Sequence, residues 1–253
     1  METFVLIIAA FITSCISAVL GMGGGIILLG IMAIIIPEGY MVIALHGIIQ
    51  LVSNSTRTYV FRQHLKKNIL KEFGVGAIIG LSISGLILFI LVQLFNAESA
   101  NQIKVEFLKP FIGVFIIWYL FLKGSKKQKN YRSFIGVGAL SGLSSVFVGA
   151  TGPLIAPFFL GSTLTKENII ANKAACQMIS HFGKIPLFII FFKFNYIQSY
   201  NLLLPMVVAV FVGTNVGKKT LSFIPEKLFK QLFRLVLFLI AARLIIADFH
   251  ITS

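Results

Sequence analysis

Acidic side chains are scarce in this chain. Eight Asp and Glu stand against 22 Lys and Arg in 253 residues, a formal net charge of +14. Charged residues of both signs make up only 12% of the sequence, against about 25% in an ordinary soluble domain. Hydrophobic residues fill 57% of it, and 25 positions are Phe. A soluble fold of this length cannot bury so much apolar surface. The apolar runs 4–20 with its continuation, 73–95, 107–122 and 231–247 approach the roughly 20 residues that cross a bilayer. They predict an all-α polytopic membrane protein whose constant partner is the lipid bilayer. The basic excess does not point to nucleic acid, because it sits in short loops between apolar runs and forms no basic patch with interleaved aromatics.

Other absences narrow the chemistry. Cys15 and Cys176 lie inside apolar runs without CxxC spacing, so they read as small core residues rather than a metal or redox pair. The acids Glu2, Glu38, Glu72, Glu98, Glu106, Glu167, Glu226 and Asp248 all fall near the ends of apolar runs. No carboxylate is placed to hold a desolvated cation at mid-depth, which favours an anion or a neutral solute. There is no P-loop, no HExxH and no nucleophile elbow. Catalytic residues, metal ligands and cofactors are therefore not expected, and any uphill transport must draw on a gradient. The first residues, "METF", carry no Lys or Arg, so a cleaved signal peptide is not expected either.

What is present is an internal repeat. At a spacing of 127 residues Ser17 answers to Ser144, Gly25 to Gly152, Gln50 to Gln177, Ser53 to Ser180, Arg57 to Lys184 and Asn68 to Asn195. A gap of about six residues further on brings Gly80 onto Gly213 and Ser84 onto Gly217. This predicts two homologous transmembrane repeats, residues 1–122 and 133–253, joined by a basic cytoplasmic linker at 123–132. Loops 62–71 and 218–230 are basic like the linker, whereas 96–104 and 193–199 hold one Lys each. By the positive-inside rule the first three are cytoplasmic and the last two external. Matching loops then fall on opposite sides, so the repeats are inverted, a transporter design, and each half crosses an odd number of times.

"GMGGG" at 21–25 and "VGATGP" at 148–153 interrupt the apolar runs at equivalent places. The piece 26–36 is only about 16 Å long as a helix, half a bilayer. It either crosses obliquely, giving five spans per half, or turns back as a re-entrant hairpin, giving three. In both versions broken backbone lies within the membrane, where it is tolerated only against protein or a wet cavity. Gly23, Gly24 and Gly25, with Ala150, Thr151 and Gly152, would then turn backbone N–H groups and a helix N-terminus toward an anion. The alternative is close helix packing through glycine. Pro153 suits the first turn of the new helix.

After each break comes a polar stripe. His46, Gln50, Ser53, Asn54 and Arg57 share one helical face, and Lys173, Gln177, Ser180, His181 and Lys184 repeat it. Such stripes are costly in apolar surroundings unless they line a cavity. Gln50, Ser53, Gln177 and Ser180 are suited to hydrogen-bond an oxyanion, and Lys173 and Lys184 to offset its charge. Arg57 either joins them or snorkels to the cytoplasmic surface. If protons are coupled, His46 and His181 are the side chains that titrate near neutral pH. The runs Gly76, Gly80, Ser84 and Gly213, Gly217 read as helix-packing surfaces.

"SAVLGMGGGIILLG" at 17–30, the polar helix after it, "GAIIG" at 76–80 and the second copy at 144–160 resemble the TauE/SafE family across nearly the whole chain. The resemblance implies a sulfite or organosulfonate exporter of the cell membrane. In the second copy this chain departs from the family's glycine-rich element, reading "VGATGP". The expectation is a secondary transporter exporting a small anion by alternating access. A channel with the same lining, or a non-transporting membrane protein that binds a lipid or partner, remains open at this level, as do substrate, ion coupling and oligomeric state.

Overall fold

The computed structural model describes residues 1–95, 133–149, 151–160 and 164–249. The apolar run 107–122, the linker 123–132 and Ala150 lie outside the described residues. Within them the chain is helical, with no strand. In order run α1 (Glu2–Leu20), α2 (Gly24–Ile35), α3 (Gly39–Val60), α4 (Lys67–Leu94), α5 (Ile135–Val148), α6 (Gly152–Leu160), α7 (Lys166–Phe192), α8 (Tyr200–Leu221) and α9 (Glu226–Phe249). Four helical stretches are long and apolar enough to span a membrane: Glu2–Leu20, Lys67–Leu94, Lys166–Phe192 and Tyr196–Leu221. α3 is also 22 residues long, but its polar stripe lowers its hydropathy below theirs.

Local chemistry sets the helix ends. α1 stops at Gly21, whose φ of 71° is left-handed, the usual glycine termination. α5 stops at Gly149, also a glycine at positive φ, 79°. α7 begins at Thr165, whose hydroxyl accepts from the Asn168 N–H at 3.3 Å, with Glu167 in its positive first turn. The acids work at such ends. Glu72 accepts from the Phe134 N–H just before α5, and Glu226 from the Lys166 N–H at the start of α7, both at 2.7 Å.

The halves interlace. The most extensive helix contacts are α4 on α5 and α1 on α8, each joining a helix from before residue 122 to one from after 133. Glycine makes both possible. A Cβ at Gly76 or Gly80 would overlap the carbonyls of Ile135 or Ala139, and one at Gly213 or Gly217 would press on those of Phe11 or Cys15. The small-residue runs are thus helix-packing surfaces. Between these pairs lie α3 and α7, packed antiparallel. The Lys184 ammonium near the end of α7 donates to the Ile43 carbonyl near the start of α3, at 3.3 Å. At the other end the His64 carbonyl, just past α3, accepts from Asn168 and Asn172 of α7 at 2.8 and 3.0 Å. Ile78, Ile83, Phe89, Val208 and Phe211 point outward, as a lipid-facing surface requires.

Of the two versions open for residues 26–36, the turned-back one fits. Gly24 lies directly against the Thr13 carbonyl, two helical turns before α1 ends. The chain therefore reverses at 21–23, and Leu28 and Met32 share an apolar cluster with Leu6, Ala9 and Ala10.

Candidate functional site

Both chain breaks border one small cavity. It is lined by Ser17, Met22, Gly23, Gly25 and Ile26 from the first break, by Gly152 and Pro153 from the second, and by the stripe residues His46, Gln50, Arg57, Lys173, Gln177 and His181. Space open to the centre of a water molecule amounts to about 20 Å³, room for water or a compact ion. The glutamines show why glycine stands at both breaks. A Cβ at Gly25 would sit 3.0 Å from the Gln50 side-chain oxygen, and one at Gly152 only 2.8 Å from the Gln177 nitrogen. Each amide thus reaches across bare backbone into the cavity.

The electrostatics are one-sided. Arg57, Lys173 and Lys184 are 2%, 1% and 0% exposed, so Arg57 does not snorkel. Their partners are neutral oxygens. Lys173 donates to the Gly21 carbonyl at 2.8 Å and to the Gln177 side chain at 3.2 Å. Arg57 donates to the Ser17 carbonyl at 3.2 Å and to the Asn54 side chain. Lys184 donates to the carbonyls of Ile43 and Gly149, at 3.3 and 3.4 Å. Gly21 and Gly149 close α1 and α5, so two of these cations meet the negative ends of broken helices. The ion pairs among the described residues, Lys166–Glu167 and Lys230–Glu226, lie at helix ends away from the cavity. A buried cation without a counter-ion is costly, and this site gathers three.

The histidines complete the lining. His46 Nε2 lies 2.7 Å from the Gly25 carbonyl. A carbonyl only accepts, so Nε2 carries the proton. The His46 and His181 rings stand edge to face, 6.1 Å between centroids. Nδ1 of each is buried with no hydrogen-bond partner among the described residues.

The remaining expected residues stand behind this lining. Ser53 and Ser180 do not face the cavity. Their hydroxyls pair with Ser14 at 3.5 Å and Ser141 at 2.9 Å, because the helical step from Gln50 to Ser53, or Gln177 to Ser180, rotates them toward α1 and α5. Asn54 holds Arg57. Gly24 packs on α1, and Thr151 is buried with no hydrogen-bond partner for its hydroxyl among the described residues. Sequence reasoning missed Ser17, Met22, Ile26 and Pro153 as lining. Ser17 had a signal in its repeat partner Ser144, but its contact with Arg57 is made by backbone, which no side-chain pattern reveals. Beyond the lining, Ile170 lies against Gly21 and Ile43 against Gly149, each 3.2 Å from where a glycine Cβ would be. These two isoleucines are themselves 127 residues apart.

No curated protein and no solved structure matches this chain. The family model described as sulfite exporter TauE/SafE matches residues 6–244. An integral membrane architecture and this match agree: the chain belongs to the TauE/SafE sulfite exporter family, a family of membrane transporters rather than enzymes.

Proposed function

We propose that the protein exports a small oxyanion, sulfite or a compact sulfonate, across the cell membrane as a secondary transporter with two inverted halves. The observation that carries this reading is the cluster of three buried basic side chains, with no carboxylate among the described residues, around a cavity bordered by both chain breaks. An anion seated there supplies the missing counter-charge. Gln50 and Gln177 donate amide N–H groups to it, Arg57 and Lys173 face it directly, and the first turns of α2 and α6 add their positive ends. Ser53, Asn54, Ser180 and Lys184 hold the lining in place from behind. The small volume favours a compact ion over a bulky organosulfonate.

Ile43 and Ile170 act as the two gates. Each sits about one turn into its polar helix, α3 or α7, and these helices run antiparallel, so the gates close opposite ends of the cavity. Alternating access requires that arrangement. The lining is mostly buried, which supports a carrier over an open channel; saturable flux with counter-exchange separates the two.

The test is sulfite efflux from proteoliposomes. Wild-type protein gives saturable flux, and Gln50→Ala with Gln177→Ala lowers it at least ten-fold while the protein stays folded in detergent. Undiminished flux in the folded double variant removes this site from the mechanism.

A further inference from the structure

The two histidines have atoms that the anion reading leaves unused. His46 is fixed by the Gly25 carbonyl as the Nε2–H form, so its Nδ1 is the nitrogen left to take a proton, and the Gly149 backbone near the ring favours the charged form. That atom and Nδ1 of His181 are buried and without a hydrogen-bond partner among the described residues, and both rings line the cavity. An unpartnered buried ring nitrogen is costly, and here two occur on rings 6.1 Å apart, one from each polar stripe.

The charged groups around the pair are all basic. α7 contributes Lys184, beside both rings, and Lys173 in the shared lining; α3 contributes Arg57. Cys176 of α7 is buried next to Lys173. Helices α2, α5 and α6 carry no titratable side chain. The ionisable residues of α4, α8 and α9 whose exposure is described lie at helix ends or, like Arg234, on the exposed surface; α1 carries Glu2 at its start and the half-buried Cys15, and no Asp or Glu among the described residues lines the cavity. A proton on either imidazole adds a further positive charge to a site with no negative one among the described residues. A bound anion is the group that offsets it.

Resting on the anion site proposed above, we infer that His46 and His181 form a shared proton site, and that anion and proton bind together. The proton comes from bulk solvent and enters the Nδ1 lone pair of one imidazole as the anion arrives. It leaves to solvent when the anion leaves, and no other bond changes. Each transported anion then carries about one proton, and flux responds to a pH gradient as well as to the anion gradient.

Isothermal titration of purified protein tests this, with methanesulfonate and sulfite, in buffers of different ionisation enthalpy between pH 6 and 8. Methanesulfonate does not titrate in this range. Sulfite does, so its own protonation is removed by comparing wild type with variant. The expected result is uptake of about one proton per anion by wild type, and a loss of most of that uptake in His181→Gln with anion heat still present. His46→Gln is the second variant, because its ring also braces Gly25. Anion heat without proton uptake in wild type, or uptake unchanged in both variants, overturns the shared proton site and leaves the anion site standing. No heat with either anion overturns the anion site itself, and this inference with it.

Discussion

At the scale of single residues, the buried cations set stability and binding against each other. Lys173 is fully buried, and its ammonium contacts neutral oxygens alone. A buried charge without a counter-ion carries a desolvation cost, which an apolar side chain of similar length removes. Lys173→Met is therefore expected to keep or raise the melting temperature of the ligand-free protein. The same change removes a charge that faces the proposed anion position, so a sulfite-induced rise in melting temperature, which reports binding to the native state, should disappear. A variant that melts lower and still responds to sulfite would show Lys173 to be a packing residue. Its identity as a candidate was legible from the stripe pattern, as were Gln50, Gln177, His46 and His181. Less legible was which stripe members turn inward. Ser53 and Ser180 lie three residues after the glutamines, and that 300° step carries them off the cavity face and onto Ser14 and Ser141.

Among the elements, α4 offers an internal comparison. Gly74 has no described atom within 4 Å of an added Cβ, whereas one at Gly80 would overlap the Ala139 carbonyl of α5. Gly74→Ala should stabilise by up to about 1 kcal/mol through helix propensity. Gly80→Ala should destabilise by about 1–3 kcal/mol through overpacking. Opposite shifts of melting temperature in detergent check the pair, and equal shifts would mean that α4 and α5 do not touch here. The sequence made the helices and their small-residue faces plain, because long apolar runs and four-residue glycine spacing are local signals. It did not say that α4 seeks α5 or that α1 seeks α8. A bare glycine ridge specifies a close neighbour without naming one, since the backbone carbonyls it meets are common to every helix. Likewise the reversal at 21–23 follows from contact between Gly24 and Thr13, which the apolar character of both helices leaves undetermined.

For the whole molecule, the gates give the reading its topological test. Ile43→Cys and Ile170→Cys, in a background with Cys15 and Cys176 replaced by Ala, should react with a membrane-impermeant thiol reagent from opposite faces of sealed vesicles, Ile43→Cys from outside and Ile170→Cys from within. Reaction of both from one face would rule out inverted halves. The interlacing of those halves also has a consequence for how the protein comes to exist. α4 is made before residues 135–148, which fill its Gly76–Gly80 groove in the finished protein, and α1 long before Gly213 and Gly217 of α8. Helices made late are thus what lock the early ones in place.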